Sequence, residues 1–374
     1  MRIAVQASDL DRERIDGTRV YLKEILKRFG IFDAKTDFHL YHRSDFNPAL
    51  APPEFANYHI KSLPFPFAWM QTRFVWEMLQ SKPEKLFLPI QAAPFFVPKV
   101  TEVTATIHDL AFKRYPETFP RKDLWKLNLL LNMVTERAQK LIAVSQSTKD
   151  DLLEFFPHLD PERVKVIHHG FDGKFFGTQL LQEEIAQKLK SYKLQATSYV
   201  LYVGALQPRK NLVRLIEAFN LAKGSMFEMK LVLAGENAWL ADDILRAREN
   251  SPYKEDIILT GRVTFETLRA LYQGARLFAF PSLYEGFGLP ILEAFASGTP
   301  VLTASNSSLR EVAGRAALYA DAESVHDIAE KLERLWSEEE LRTELVARGT
   351  EQLKKFSWEK CARETLEYIQ SGRV

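Results

Sequence analysis

The chain has 374 residues, with 50 lysines and arginines, 49 aspartates and glutamates, one cysteine and a formal net charge of +1. This length suggests two domains or one large domain, and a hydrophobic content of 46% is sufficient for two cores. The balanced charge argues against nucleic acid as a partner, and the lone Cys361 cannot form an intrachain disulfide. No apolar run approaches the about 20 residues of a transmembrane helix. Because the N-terminus also lacks the features of a signal peptide, we expect a cytoplasmic protein.

Apolar segments alternate with amphipathic segments along the first half of the chain. Several are continuous aliphatic or β-branched runs, which are typical of parallel strands covered on both faces. The predicted strands are Ile3–Ala7, Phe38–His42, Leu86–Pro89, Val103–His108, Leu141–Ser145 and Val164–His168. The predicted helices between them include Val20–Phe29, Leu124–Ala138 and Ser147–Phe156.

The same alternation restarts after a polar, helix-prone segment at residues 178–193. The predicted strands here are Tyr199–Val203, Lys230–Ala234, Ile257–Thr260, Leu277–Pro281, Pro300–Thr303 and Ala317–Ala320. The predicted helices are Asn211–Ala222, Thr264–Gln273, Pro290–Ser297 and Ser324–Trp336, and a last one extends from Phe356 to Ile369. Alternating strands and helices imply right-handed crossovers, so we predict an α/β fold of two Rossmann-like, doubly wound domains with a cleft between them.

Residues 63–98 are rich in proline and aromatic residues. They include Phe65, Phe67, Trp69, Trp76, Phe95 and Phe96. We interpret them as core residues and as connections between helices and strands. The alternative is a surface for an apolar acceptor or a membrane edge, although no sustained basic amphipathic helix accompanies them.

The loop after the predicted strand that ends at Pro281 has the composition of a phosphate site. It contains Gly286 and Gly288 and leads into a helix, so backbone N–H groups and the positive helix end would be available to an anion. Glu285 lies in this loop, and we place Glu293 in the first turn of the helix, where both carboxylates could accept hydrogen bonds from hydroxyl groups. This arrangement suits a ligand with phosphate in the middle and polyols at both ends, such as a nucleotide sugar.

The sequence resembles the retaining glycosyltransferases of the GT-B fold, specifically family 4, whose hallmark is two glutamates separated by seven residues. Residues 285–293 fit this hallmark without a gap. Other family-like segments occur in the same order along nearly the whole chain: Ile107–Leu110, Val144–Lys149, Val203–Leu212 and Ser307–Val312. The resemblance implies an acceptor-binding domain of residues 1–177 and 357–374, which includes a returning C-terminal helix, and a donor-binding domain of residues 178–356 that faces it across a central cleft.

The resemblance also implies catalytic residues. Glu285 would contact hydroxyls of the donor sugar, and His108 would line the pocket of that sugar. Arg209 and Lys210 would bind the diphosphate and stabilise the leaving nucleoside diphosphate. Many relatives carry an arginine where this chain has Ala205, so the division of this task between Arg209 and Lys210 is open.

Further residues are implied to bind the donor. Glu293 would hold the ribose hydroxyls, and backbone N–H groups around Phe287, Gly288 and Leu289 would reach the phosphate and the sugar. The segment with Gly17 and Thr18 would approach the diphosphate closely, and Gly204 ends the first strand of the donor-binding domain.

No metal ion and no cofactor are expected, because Arg209 and Lys210 can neutralise the diphosphate. The adjacent His168 and His169 would point to opposite faces of a strand and so would not share one ion.

The implied reaction is a front-face transfer, in which a leaving phosphate oxygen accepts the proton of the acceptor hydroxyl. The segments Ile107–Phe112 and Tyr115–Phe119 resemble those of mannosyltransferases of bacterial surface-polysaccharide pathways, so GDP-mannose is favoured over UDP-sugars as the donor. The expected partners are this nucleotide sugar, a glycan or lipid-linked glycan acceptor, and the inner face of the membrane through peripheral association.

Two other classes of protein share parts of this pattern. A sugar-nucleotide epimerase has the same fold, and a non-catalytic subunit could bind a nucleotide sugar without turnover. A dinucleotide-dependent dehydrogenase is excluded, because Gly286 and Gly288 are not followed by the third glycine of its fingerprint.

Overall fold

The computed structural model of the chain describes Met1–Gly372 and divides into two compact units. The first unit contains Met1–Leu110, Lys122–Gly170 and the C-terminal residues from Phe356 onward, and the second contains Ala111–Arg121 and Phe171–Lys355. The sequence-based boundaries differ from this division in three places, of which the return to the first unit at Phe356 rather than at residue 357 is the smallest. They assign Ala111–Arg121 to the first domain, and they place the change of domain after residue 177 rather than after Gly170.

The first unit is built on a sheet of seven parallel strands in the order β3-β2-β1-β4-β5-β6-β7. These are β1 (Arg2–Gln6), β2 (Asp37–His42), β3 (Tyr58–Ser62), β4 (Lys85–Leu88), β5 (Glu102–Ile107), β6 (Lys140–Ala143) and β7 (Val164–Val166). The six predicted strands are confirmed. Strand β3 was not predicted, because it lies at the sheet edge with only Tyr58 buried and therefore lacks a continuous apolar run.

The second unit is built on a sheet of six parallel strands in the order β10-β9-β8-β11-β12-β13. These are β8 (Tyr199–Val203), β9 (Lys230–Ala234), β10 (Ile257–Gly261), β11 (Leu277–Phe280), β12 (Val301–Ala304) and β13 (Ala317–Ala320). All six were predicted, since each is a short apolar run between turn signals. The fold is therefore α/β with two doubly wound sheets, as expected.

Fifteen α-helices are assigned within Met1–Gly372. They are α1 (Gly17–Phe32), α2 (Arg73–Ser81), α3 (Ala111–Arg114), α4 (Arg121–Arg137), α5 (Gln146–Phe155), α6 (Gly173–Gly177), α7 (Gln182–Lys190), α8 (Leu212–Lys223), α9 (Asp242–Glu249), α10 (Phe265–Gly274), α11 (Leu289–Ala296), α12 (Leu309–Ala313), α13 (Val325–Ser337), α14 (Glu339–Leu353) and α15 (Trp358–Gln370). Helices α9 and α14 were not predicted, because they are highly charged and bury only one and three residues. No helix in this part of the chain combines the length and the apolar content that crossing a membrane requires.

Helix α15 returns to the first unit. Its first residue approaches Gly170 so closely that a Cβ on this glycine would lie 2.0 Å from the backbone nitrogen of Trp358. At the other end, the Lys140 ammonium is fully buried, donates to the carbonyl of Tyr368 at 3.0 Å and pairs with Glu102 at 2.7 Å. The last helix is thus joined to the first sheet through β5 and β6.

Candidate active site

In the second unit, the loops after β8 and β11 leave neighbouring strands at the point where the strand order reverses. Ligands of doubly wound sheets bind outside the carboxyl ends of the strands at such a point. The first loop forms a short turn at Pro208–Lys210, and the second leads from Phe280 to helix α11. The two loops are in contact, because the amide of Leu283 donates to the carbonyl of Arg209 at 3.0 Å.

This contact assembles a buried cluster of three charged side chains. The Glu285 carboxylate accepts from Lys210 Nζ at 2.5 Å on one oxygen and from Arg209 Nη1 at 3.0 Å on the other. The same Arg209 nitrogen also donates to the carbonyl of Tyr284 at 2.5 Å. Lys210 Nζ lies 5.2 Å from the centre of the Phe280 ring.

The charge state of this cluster follows from its contacts. Burial alone would raise the pKa of Glu285, but the charges of Lys210 and Arg209 outweigh burial and hold that pKa at about 2. Glu285 is therefore ionised at any physiological pH. The cluster therefore places two cationic side chains and one ionised carboxylate together at the ends of β8 and β11, and cationic side chains attract an anionic ligand.

Asn211 connects its own loop to the loop after β11 and to the segment after β13. Its backbone adopts the left-handed conformation with φ = 61°, which asparagine tolerates better than most residues. Its side-chain amide donates to the carbonyl of Pro281 at 3.0 Å and to that of Ala322 at 2.6 Å. Asn211 belongs to one of the family-like segments, but the sequence predicted no role for it.

Two serines fix the backbone of the glutamate-bearing loop. The amide of Glu285 donates to the Ser307 hydroxyl at 3.0 Å, and the Ser308 hydroxyl lies 2.8 Å from the carbonyls of both Glu285 and Phe287. The loop ends at Gly288, whose φ of 109° strongly favours glycine. The N-cap residue of α11 is Gly288, which has no side chain to accept hydrogen bonds from the first turn of the helix, as suits a helix start that binds phosphate.

Glu293 lies in the second turn of α11, not in the first turn as expected, because the helix begins at Leu289. Its carboxylate accepts a 2.9 Å hydrogen bond from the Tyr272 hydroxyl. Burial raises the pKa of Glu293 to about 7, and this hydrogen bond opposes the rise only in part. Tyr272 was missed, since a tyrosine within the apolar pattern of α10 gives no signal that distinguishes it from a core residue.

Gly204 and Gln207 lie between β8 and the Pro208–Lys210 turn. Gly204 has φ = 148°, and a Cβ on Gly235 would lie 2.0 Å from the Gly204 carbonyl oxygen, so the two backbones need glycine to approach. Gln207 is buried, and its Oε1 has no hydrogen-bond partner within residues 1–372. A buried amide oxygen without a partner is unfavourable, which points to a ligand or water as its partner.

In the first unit, Gly17 and Thr18 are the first two residues of α1 rather than part of a separate loop. The Asp16 side chain caps this helix by accepting from the amide of Arg19 at 3.3 Å, and the Arg19 guanidinium pairs with the same carboxylate. Gly17 is exposed, so the backbone at the start of α1 remains accessible.

His108 follows β5, and its neighbours define its protonation. Its Nε2 lies 2.8 Å from the carbonyl of Pro89, which can only accept, so the ring carries its proton on Nε2. Burial lowers the pKa of His108, although the Pro89 hydrogen bond and the charge of Asp109 oppose this. The neutral ring therefore presents Nδ1 as an acceptor. It packs edge-on against Tyr21, with 5.3 Å between ring centres.

The predicted site residues fall into two groups. The first unit carries Gly17, Thr18 and His108, and the second carries Gly204, Arg209, Lys210, Glu285, Phe287, Gly288, Leu289 and Glu293. His168 packs near Phe356, and His169 stacks on Tyr21 with 4.8 Å between ring centres, so the two histidines have different partners. Among residues 1–372, no group of three or more His, Cys, Asp and Glu side chains is arranged to hold a metal ion.

Comparison with known proteins identifies the family. Residues 181–352 match the family described as Glycosyl transferases group 1, and residues 85–174 match Glycosyltransferase Family 4. The chain is 31% identical over 274 residues to O-antigen chain mannosyltransferase B of Escherichia coli, which covers 73% of this chain and 71% of that protein. The chain belongs to the group 1 glycosyltransferases.

Other relatives of this glycosyltransferase agree with that assignment. It is 32% identical over 235 residues to the serotype-specific mannosyltransferase WbdA of Escherichia coli, which covers 62% of this chain but only 29% of WbdA. The structure of HepE from Anabaena in complex with UDP and glucose superposes with a TM-score of 0.77 at 17% identity, over 100% of both chains. The glycosyltransferase thus has the GT-B fold, as the sequence predicted.

Proposed function

We propose that this glycosyltransferase is a retaining mannosyltransferase that uses GDP-mannose and transfers mannose to a glycan or a lipid-linked glycan. The observation that carries the proposal is the buried cluster of Glu285, Lys210 and Arg209 beside the uncapped start of α11. Its two cationic side chains and the helix amides suit the diphosphate of a nucleotide sugar, and its ionised carboxylate suits the hydroxyls of the sugar.

The cations have a direct catalytic task in this proposal. When the bond between sugar and phosphate breaks, negative charge grows on the leaving nucleoside diphosphate. Glu285 holds Lys210 and Arg209 at the end of β8 before the donor arrives, so they need only turn toward the phosphate to stabilise this charge. No metal ion is needed for that task. A leaving phosphate oxygen would accept the proton of the acceptor hydroxyl, and no residue of the chain is proposed as a nucleophile.

The remaining contacts follow the family resemblance. Glu293 would accept hydrogen bonds from the ribose hydroxyls, the amides of Phe287, Gly288 and Leu289 would reach the phosphate, and Gly204 would let the donor approach the end of β8. In the first unit, Gly17 and Thr18 would bind the diphosphate. The neutral His108 would accept a hydrogen bond from a sugar hydroxyl at Nδ1.

Mannose is proposed because the relatives in the comparison include an O-antigen chain mannosyltransferase and a serotype-specific mannosyltransferase. An acceptor carried on a lipid would present its reacting end at a membrane surface, so peripheral association with the inner face of the membrane is part of the proposal. The HepE structure with UDP and glucose makes a UDP-sugar the competing donor.

Calorimetric titration with GDP-mannose, GDP, UDP-glucose and UDP tests the donor. We expect the guanine nucleotides to bind more tightly than the uracil nucleotides, and the Glu293→Ala variant to weaken this binding. Glu340→Ala, which alters an exposed glutamate on α14, should bind as the wild type does. Tight binding of UDP-glucose alone would overturn the choice of donor, and well-folded protein that binds none of the four would overturn the site.

Product analysis tests the reaction. Incubation with GDP-mannose and a mannose-terminated oligosaccharide should release GDP and extend the oligosaccharide by one α-linked mannose, visible by NMR of the anomeric proton. A β-linked product would contradict retention. Conversion of the nucleotide sugar without transfer would favour an epimerase, and binding without any turnover would favour a non-catalytic subunit.

A further inference from the structure

The six aromatic residues named above for the segment 63–98 separate into two classes in the structure. Trp69 is buried, and its indole nitrogen donates to the carbonyl of Leu63 at 2.7 Å. The others are exposed, with Phe67 at 77%, Phe96 at 66% and Trp76 at 57% of their full accessible surface. The interpretation of these residues as core and connections is therefore correct for Trp69, which is buried, and for the four phenylalanines, which lie in connecting loops. It is wrong for Trp76, which lies exposed on α2.

These exposed side chains belong to two loops and to α2, and hydrogen bonds connect the three segments. We call this set the aromatic patch. It consists of Phe65, Phe67, Trp76, Leu79, Phe95 and Phe96. Gln71, just before α2, joins its two loops, because its side chain donates to the carbonyl of Ala93 at 3.1 Å and accepts from the amide of Phe95 at 2.6 Å. The Thr72 hydroxyl lies 3.2 Å from the carbonyl of Phe67, which ties the first loop to the start of α2.

Helix α2 is apolar on two sides. Phe74, Val75 and Met78 are buried against the first unit, as expected of an amphipathic surface helix. Trp76 and Leu79 lie on the exposed side, where such a helix ordinarily carries charged residues. Together with the exposed phenylalanines of both loops, they give the first unit a concentration of apolar side chains that packing within the chain does not explain.

Basic residues accompany the patch. Residues 61–100 contain five lysines and arginines but only two glutamates. Glu77 is shared by Arg73 at 3.2 Å and Lys61 at 3.5 Å, so one carboxylate faces two cations. Lys82 directly follows α2 and is exposed. Apolar side chains bordered by an excess of positive charge match an interface between acyl chains and anionic headgroups.

We propose that the aromatic patch docks this protein on a membrane surface that contains anionic lipids. Phe67, Phe96 and Trp76 enter the boundary between headgroups and acyl chains, while Arg73 and Lys82 contact the phosphates of the lipid headgroups. The occupant is a bilayer rather than a protein, because the patch joins aromatic side chains to flanking cations and needs no complementary shape. This inference deepens the membrane part of the proposed function, but it does not depend on the identity of the donor.

Co-sedimentation of the full chain with vesicles tests the docking. Wild-type protein should bind vesicles made of equal parts phosphatidylcholine and phosphatidylglycerol, and bind less to phosphatidylcholine alone. The double variant Phe67→Ser, Phe96→Ser should lose about tenfold or more in apparent affinity, since each exposed ring contributes apolar area that the membrane would bury. Phe227→Ser is the matched control, because Phe227 is 82% exposed but belongs to the second unit.

Trp76 provides an independent readout of insertion. Vesicles with brominated acyl chains should quench part of the tryptophan fluorescence of the wild type, and Trp76→Phe should remove that part while vesicle binding persists.

Three results would overturn the docking. The wild type could fail to bind anionic vesicles, or the double variant could bind them as tightly as the wild type. The wild type could also form a dimer that the double variant disrupts without a change in vesicle binding. The last result would identify an interface between copies of the chain. Nucleotide titration of the same double variant should match that of the wild type, so failure of the docking and failure of the donor site give different results.

Discussion

Replacement of Glu293 by glutamine should stabilise the protein at alkaline pH and weaken donor binding. Glutamine has nearly the same shape and can still accept the hydrogen bond of the Tyr272 hydroxyl, but it carries no charge. The folded protein raises the pKa of Glu293 from 4.5 to about 7, because the carboxylate is surrounded by protein. The ionised form is therefore less favourable in the folded chain than in the unfolded chain.

The size of the effect follows from the two pKa values. The difference between 4.5 and about 7 corresponds to about 3 kcal/mol at 1.36 kcal/mol per pKa unit. The folded state binds the proton more tightly, so this penalty is absent well below pH 4.5, grows as the pH rises, and is complete above about 7. Because the side chain keeps partial solvent access, we expect Glu293→Gln to gain about 1–3 kcal/mol near pH 8 and less than about 1 kcal/mol near pH 5.

Scanning calorimetry at the two pH values measures this difference. The transition of the variant should lie roughly 2–10 °C above that of the wild type near pH 8. Glu285→Gln is the opposite case, since it leaves Lys210 and Arg209 buried without their anion and should destabilise by about 3 kcal/mol or more. A Glu293→Gln variant that is less stable than the wild type near pH 8, or equally stabilised at both pH values, would refute the reasoning.

Three further predictions concern the charge cluster, the pH dependence of binding and the returning helix. Lys210→Met should lower the transfer rate by about 100-fold or more, with a smaller effect on donor affinity. An unchanged kcat in a steady-state assay would contradict the proposed stabilisation of the leaving group by Lys210. If Glu293 binds the ribose as an anion, donor affinity should fall by up to about tenfold for each pH unit below about 7, and donor binding should release a proton. Calorimetric titration in buffers of different ionisation enthalpy measures the proton release. The Glu293→Gln variant should show neither the pH dependence nor the proton release. Gly170→Ala should destabilise the first unit by about 1–3 kcal/mol in thermal unfolding, because the new Cβ would lie 2.0 Å from the Trp358 backbone. Gly224→Ala is the control and should have little effect, because its Cβ would lie 3.4 Å from its nearest neighbour.

The strands of both sheets could be predicted because each central strand is a continuous apolar run, a pattern that depends only on nearby residues. Strand β3 and helices α9 and α14 escaped prediction for the opposite reason. They contribute few buried side chains, so their sequences carry little of the periodicity on which the prediction rests. Strand β3 is held by backbone pairing with β2, which leaves no apolar pattern in its sequence.

The candidate site was predicted as a set of residues but not as a set of contacts. The motif identified Glu285, Arg209 and Lys210 separately, with the cations assigned to phosphate and the carboxylate to sugar. Their mutual ion pairs join residues about 75 positions apart and depend on the adjacency of β8 and β11 at the reversal of strand order. No local sequence pattern encodes that adjacency, and the partnership of Tyr272 with Glu293 was missed for the same reason.

The ion pairs change how the proposed reaction is understood. A diphosphate that enters the site must share Lys210 and Arg209 with Glu285, since both cations are already bound to that carboxylate. In the proposed reaction, the cations would turn toward the phosphate and release lone pairs of Glu285, and the hydroxyls of the sugar would then donate to these lone pairs. The carboxylate stays ionised throughout, because its pKa of about 2 is far below neutrality. Recognition of the phosphate and recognition of the sugar would thus be coupled through one carboxylate, which explains why an acidic residue belongs in a site built for an anion.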